Sequence, residues 1–231
     1  LYSFLPLKKQ LGIPLIVTLH GYDLICPKKI LLTDHKICNR PFMIGCVVCG
    51  VESYGLAKSF FAYLGVKSNK KKLGLVDKYM AVSSFVKEVY CKHLSLSDKD
   101  IVVVSNFYEI EEQNHKFGES QMLPDDFILF VGALTRAKGI DVLIKAYRKL
   151  RTDTELIVIG IRHPGFCYRR TKNVTIIENA PDNVVNEAYR KCRFTVIPSI
   201  FPDPCPTVAF EAMCRKKAII GSDIGGLRDI I

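Results

Sequence analysis

Asp203 and Glu211 stand eight positions apart, the first set among Pro202, Pro204 and Pro206 and the second inside a helix-forming run. Proline fixes φ and has no N–H, so Phe201 to Pro206 reads as a rigid loop. Thr207-Val-Ala-Phe-Glu-Ala-Met213 reads as a helix that opens directly after it. At such a start Thr207 and Val208 present backbone N–H groups, and the partial positive charge there favours phosphate. Cys205 carries the one N–H between Pro204 and Pro206 and can serve a ligand hydroxyl. Glu211, about one turn into the helix, suits a pair of vicinal sugar hydroxyls, as acidic residues do in nucleotide folds. Asp203 on the rigid loop is placed for a second sugar.

Such side chains need strand ends to hold them. Pro14–Leu19, Lys78–Val82 and Ile101–Val104 read as strands buried on both faces, with a helix from Ser84 to His93 capped by Ser83 or Ser84. A second series follows, with strands at Phe127–Val131, Glu155–Ile159, Val174–Ile177, Phe194–Ile197 and Ala218–Ile220. Its helices are Gly139–Leu150, Asn183–Cys192 and Thr207–Arg215. Strand–helix alternation implies parallel sheets with crossover helices. The expected architecture is α/β, two Rossmann-like domains whose sheets face an interdomain cleft. The first spans 1–120 and contains a cysteine-rich loop at 26–49, and the second spans 121–231. The polar segment 109–125 is the linker candidate, with a hinge near residue 120. Ligands in such folds sit at the carboxyl ends of strands. There the sequence places His20-Gly-Tyr-Asp, Gly132-Ala-Leu-Thr-Arg136-Ala-Lys138-Gly139, Gly160-Ile-Arg-His-Pro-Gly165 and the proline loop. Taken singly, Lys138 is a solvated helix-start lysine, His20 a structural histidine, Glu211 a surface residue and Asp203 a turn former. Their joint spacing carries the functional reading.

Composition sets bounds without choosing a function. The chain has 231 residues, 48% hydrophobic and 24% charged, ordinary for a soluble globular protein, and no apolar run reaches membrane-span length. The net charge of +10 favours acidic partners. The first hundred residues hold 15 Lys/Arg against 7 Asp/Glu, densest at Lys67-Ser-Asn-Lys-Lys-Lys72. That run reads as a solvated loop or as a contact with anionic lipid head groups or a charged acceptor. No aromatics interleave with these lysines as nucleic-acid stacking would require, so no nucleic-acid partner is expected.

The site residues resemble the retaining glycosyltransferases of family 4, which have the GT-B fold. That family ends its donor site with Glu, seven residues, then Glu and usually Ala-Met-Ala; here the pattern is Asp203, seven residues, Glu211-Ala-Met. The aspartate shortens the first carboxylate by one methylene, which bears on donor-sugar choice. Phe130 to Ile144 resembles the family's diphosphate loop and puts Lys138 on the phosphates. The family's usual arginine after the glycine is Ala133 here, and Arg136 is the candidate to replace it. Pro198-Ser199, Gly225-Gly226, His20 after a Thr-Leu strand and Ser83-Ser84 extend the resemblance over nearly the whole chain. It implies a nucleotide diphosphate sugar donor and a glycan, lipid or small-molecule acceptor. His20, Lys138, Asp203 and Glu211 would be catalytic, and Gly132, Arg136, Gly160, Cys205, Thr207 and Val208 would bind the donor. The family needs no cofactor for catalysis. Its glycine-rich acceptor loop and first strands are expected before Leu1 and its closing helices after Ile231, which would leave the N-terminal domain incomplete. A cytoplasmic enzyme, peripheral at the membrane, is the expectation.

Four of nine cysteines, Cys26, Cys38, Cys46 and Cys49, cluster with gaps of eleven, seven and two. A structural zinc site and plain thiols or disulfides are both open readings. Two further classes stay open. A GT-B nucleotide-sugar epimerase would convert donor without acceptor. A non-catalytic zinc module binding nucleic acid would leave the Asp203–Glu211 spacing unexplained.

Overall fold

The computed structural model describes residues 4–33, 36–41, 43–109, 123–163 and 166–231. The chain divides into two compact units. The first is Leu1–Asn106 together with Phe201–Cys205, and the second is Phe107–Ile200 with Pro206–Ile231. The expected boundary near residue 120 lies outside the described residues, as do Pro164 and Gly165.

In the first unit, α1 (Leu5–Leu11) leads into β1 (Ile16–Leu19), a short antiparallel hairpin of β2 (Leu32–Thr33) and β3 (Lys36–Ile37), and two helices, α2 (Gly45–Tyr54) and α3 (Leu56–Leu73). Then come β4 (Lys78–Ala81), α4 (Ser84–Leu94) and β5 (Ile101–Val103). β1, β4 and β5 form a parallel sheet in the order β1-β4-β5. Ser83 caps α4 as its sequence suggests, its Oγ accepting from the Val86 N–H at 3.2 Å. Tyr90 on α4 donates to the Gly21 carbonyl at 2.8 Å, tying the helix to the loop after β1. The strands here are not buried on both faces as expected. Ile16, Val102 and Val103 are exposed, and β1 and β5 are the outer strands of the three-stranded sheet among the described residues.

The second unit follows the expected pattern closely. β6 (Ile128–Val131), α5 (Ile140–Tyr147), β7 (Leu156–Gly160), β8 (Val174–Glu178), α6 (Asp182–Lys191), β9 (Phe194–Ile197), α7 (Thr207–Cys214) and β10 (Ala218–Gly221) build a five-stranded parallel sheet. The order is β10-β9-β6-β7-β8, so the chain reverses direction across the sheet between β6 and β9. Successive strand residues serve opposite faces. Ile128, Phe130, Leu156 and Val158 pack with Leu143, Ile144 and Tyr147 of α5. Leu129, Ile157 and Ile159 pack with Val184, Ala188 and Tyr189 of α6 and Ala212 of α7. Each such apolar side chain, fully buried, contributes roughly 1.5–3 kcal/mol, so the two-sided sheet is the stable body of this unit.

Two glycines let the strand-end loops meet. Gly139 has φ +74, and a Cβ there would lie 1.7 Å from the Pro198 carbonyl oxygen. A Cβ on Gly160 would lie 1.8 Å from the Gly132 carbonyl oxygen. Both obstacles are backbone, which cannot swing away as a side chain does. Gly139→Ala and Gly160→Ala are each expected to cost about 2–4 kcal/mol, from overpacking and, at Gly139, added left-handed strain. Thermal melting of the two variants checks this; melting temperatures equal to the parent's would contradict it.

Candidate active site

The loop after β6 is built by local capping. Thr135 accepts from the Lys138 N–H through its Oγ1 at 3.3 Å, closing a 3-10 turn over Arg136–Lys138, and left-handed Gly139 then starts α5. The loop lies along β7, with the Gly132 N–H on the Ile159 carbonyl at 3.0 Å and the Leu134 N–H on Ile161 at 2.9 Å. On its other side the Ile200 N–H donates to the Ala137 carbonyl at 2.9 Å. The structure therefore brings Gly132, Arg136, Lys138 and Gly160 together with Pro198-Ser199 where the strand order reverses. Open parallel sheets bind ligands at that position. Lys138 is half-buried and Arg136 exposed. Ser199 is buried, and its Oγ has no hydrogen-bond partner among the described residues. A cavity of about 270 Å³ opens beside the loop, lined by Leu134, Thr135, Arg136, Asp141, His163, Phe166 and Cys167.

α7 begins at the same end of the sheet, since it must cross back antiparallel to reach β10. Pro206 is its N-cap, and the Pro206 carbonyl accepts from Ala209 at 3.1 Å. Thr207 and Val208, at the first two helical positions, have no intrahelical acceptor for their N–H groups. Glu211 sits half-buried one turn in, accepting from the Tyr189 hydroxyl through Oε2 at 3.0 Å. Arg215, at the end of the helix, lies 5.3 Å from the ring centroids of both Tyr108 and Tyr189. Its Nη1 donates to the Glu211 carbonyl at 2.9 Å, and its Nη2 donates to Asn186 Oδ1 at 2.5 Å and to the Tyr108 hydroxyl at 3.1 Å. Tyr108, Asn186, Glu211 and Arg215, with Glu109, Asp182 and Val185, line a second cavity of about 380 Å³. Sequence reasoning missed Tyr108, Asn186, Tyr189 and Arg215. The one signal available was Arg215 at i+4 from Glu211.

The remaining expected residues fall in the first unit. His20 is exposed at the carboxyl end of β1. Asp203 is buried, with Tyr22 beside it. The Tyr22 hydroxyl donates to the Pro202 carbonyl at 2.6 Å, and Asn106 Nδ2 approaches the Cys205 carbonyl at 3.5 Å. Burial, then the nearby Asp203 charge, pushes the Tyr22 phenol well above its ordinary range.

The four clustered cysteines do not converge. Cys46 and Cys49 lie in the first turns of α2, not in a loop. Cys38 extends the β2–β3 pairing through its N–H to the Leu31 carbonyl at 2.9 Å. Burial pushes the Cys26 thiol up, with Cys38 a minor contributor, so those two are neighbours. Among the described residues no group of three or more His, Cys, Asp or Glu could hold a metal ion.

With the geometry in place, comparison with known proteins is direct. Residues 111–231, more than half the chain, match the family described as glycosyl transferases group 1, and the chain belongs to that family. An uncharacterized glycosyltransferase of Methanocaldococcus jannaschii is 27% identical over 237 residues, 97% of this chain and 53% of that protein. The N-acetylgalactosamine-N,N'-diacetylbacillosaminyl-diphospho-undecaprenol 4-alpha-N-acetylgalactosaminyltransferase of Campylobacter jejuni is 27% identical over 137 residues, 57% of this chain and 37% of that one. The chain thus spans about half or less of the length of these relatives. Among solved structures, Anabaena HepE in complex with UDP-glucose matches with a TM-score of 0.62 at 14% identity, over 100% of this chain and 59% of that one. Sucrose-phosphate synthase from Thermosynechococcus elongatus matches at 0.64 and 18% identity, over 99% and 55%. These likenesses establish the fold, the GT-B type expected from the sequence.

The Tyr189–Glu211 pair has a pH signature. Burial first, then the Glu211 carboxylate, pushes the Tyr189 phenol far up. The folded state therefore keeps a proton that the unfolded chain releases above about pH 10. Stability from this group is fully present below that pH and falls as pH rises through it. Tyr189→Phe is expected to lower neutral-pH stability by about 1 kcal/mol and to flatten the alkaline fall. Urea unfolding between neutral pH and pH 11 measures both; an unchanged alkaline slope would contradict the assignment.

Proposed function

We propose that this chain carries the donor site of a retaining, family 4 glycosyltransferase. Such an enzyme moves a hexose from a nucleotide diphosphate sugar to a glycan, lipid or small-molecule acceptor. The observation that carries the reading is the meeting of the Gly132–Gly139 loop with Pro198-Ser199 at the strand-order reversal, with the start of α7 at the same end of the sheet. That edge offers a lysine, backbone N–H groups and a carboxylate, the donor and acceptor set that a diphosphate with a ribose needs. HepE was crystallised with UDP-glucose, and the Campylobacter relative is named for a diphospho-undecaprenol acceptor, which supports both substrate classes.

In this reading the Thr207 and Val208 N–H groups and the Lys138 ammonium face the diphosphate. They stabilise the charge that develops as it leaves, without reorganising at the moment of reaction. Glu211 Oε1, which has no side-chain donor among the described residues, accepts from the ribose hydroxyls while Tyr189 holds Oε2. Gly132, Arg136 and Gly160 border the phosphates, and Cys205 serves a sugar hydroxyl. His20 and Asp203 are the remaining candidate catalytic groups, acting on the sugars. The family's front-face route lets the donor phosphate take the acceptor proton, so no protein base is required, and it uses no metal.

Two substitutions separate binding from turnover. Glu211→Gln removes a charged acceptor worth roughly 1.5–3 kcal/mol, so donor affinity is expected to fall about ten- to a hundredfold. Lys138→Ala is expected to lower turnover more than donor binding, because its charge matters most as the diphosphate departs. Calorimetric titration with nucleotide diphosphates and their sugars, beside a transfer assay, measures both. Parent-like transfer by the double variant would overturn the assignment.

A further inference from the structure

The α2–α3 hairpin is not used by the donor site, and its composition is unusual. Gly50 on α2 and Ser59 on α3 meet so closely that a Cβ at Gly50 would lie 2.7 Å from Ser59 Oγ, so the two helices pack as one body. Their inward side buries Val47, Ser59, Tyr63, Val66 and Leu73. Their outward side stays apolar. Val48 is 76% exposed, Phe61 70%, Leu56 68% and Ile44 66%, with Phe60 and Leu64 also exposed. Leu56, Phe60 and Leu64 repeat at four-residue spacing, one continuous stripe along α3 with Phe61 beside it. Exposed apolar surface of this extent marks an interaction site.

Charge identifies the occupant. From residue 53 to residue 76 the chain has five lysines, at 58, 67, 70, 71 and 72, and no Asp or Glu. Two copies meeting through this face would set like charges together, which disfavours a self-association surface. Leu56, Leu64 and Val48 offer no stacking plane to bases, and the Phe60 and Phe61 rings are set edge to face, 68° apart, rather than as one platform. An apolar stripe flanked by lysines fits an anionic bilayer, the apolar side chains at the acyl boundary and the ammonium groups at the phosphates. No helix among the described residues is long and apolar enough to cross a membrane, so the hairpin would lie in the interface plane.

We propose that the outer face of the α2–α3 hairpin docks this protein on an anionic lipid surface, with Phe60 and Phe61 entering the bilayer and Lys67, Lys70 and Lys72 at head-group level. The proposal is independent of the donor-site assignment and deepens the charge reading of the lysine run into a specific surface.

Vesicle flotation tests it, with phosphatidylcholine alone against phosphatidylcholine carrying phosphatidylglycerol. Binding is expected to the anionic vesicles only and to weaken with added salt. Lys67→Gln with Lys70→Gln is expected to lower partitioning about thirtyfold, at about tenfold or less per lysine. Phe60→Ser with Phe61→Ser should lower it at least about tenfold, with circular dichroism confirming that these surface variants fold. The chain has no tryptophan, so Phe61→Trp supplies a sole reporter whose emission shifts to the blue on anionic vesicles. No vesicle binding, equal binding to neutral vesicles, or an unshifted reporter on vesicles that do bind would overturn the proposal. So would dimerisation abolished by Phe61→Ser, or binding of single-stranded RNA in place of vesicles.

Discussion

Gly139 and the Pro198 carbonyl occupy space that tolerates no other side chain between them, and the carboxyl edge of the second sheet depends on that approach. The strand order reverses between β6 and β9, which is where a parallel sheet opens a crevice at its carboxyl edge. Two loops must then turn away from adjacent strands without colliding. Glycine at 139 lets the first turn in the left-handed region against the backbone of the second. Gly160, in ordinary strand backbone, leaves room for the Gly132 carbonyl of the first loop on its other side. Lys138, one residue before the turn, sits in a segment held by that backbone packing.

Glu211 is positioned by a different means. Its carboxylate rests on the Tyr189 hydroxyl, and the Arg215 guanidinium lies between the rings of Tyr108 and Tyr189 while bonding the Glu211 carbonyl. A guanidinium between two aromatic faces gains from both ring quadrupoles and keeps its N–H groups for acceptors at its edge. Among the described residues this leaves Glu211 Oε1 without a donor, one turn into the helix. In the first unit, Tyr22 holds the proline loop by its carbonyl at Pro202, so Asp203 is also placed by a tyrosine.

Much of the second unit could be read directly from the sequence. Strands β6 and β7 are buried on both sides, so each appears as an unbroken apolar run ended by glycine, and the strand boundaries fall within a residue or so. The cap at Ser83 and the helix at Thr207 were legible for the same local reason. The α2–α3 hairpin was not. Its apolar residues point outward as well as inward, which erases the helical period that would reveal it, and its cysteines suggested a metal-binding loop. Strands β1 and β5 looked buried because an apolar run carries no record of a sheet face that is left uncovered. Tyr189 was invisible as a partner of Glu211, since it comes from another helix 22 residues away.

The proposed donor site requires the loop after β6 and the start of α7 to hold a nucleotide diphosphate together. Amide hydrogen exchange of the chain, with and without saturating UDP, GDP, ADP or dTDP, tests it most directly. The account predicts that one of these slows exchange at residues 132–139 and at Thr207 and Val208, leaving the α2–α3 hairpin unchanged. Protection confined to other segments, or none with any of the four nucleotides, would contradict it.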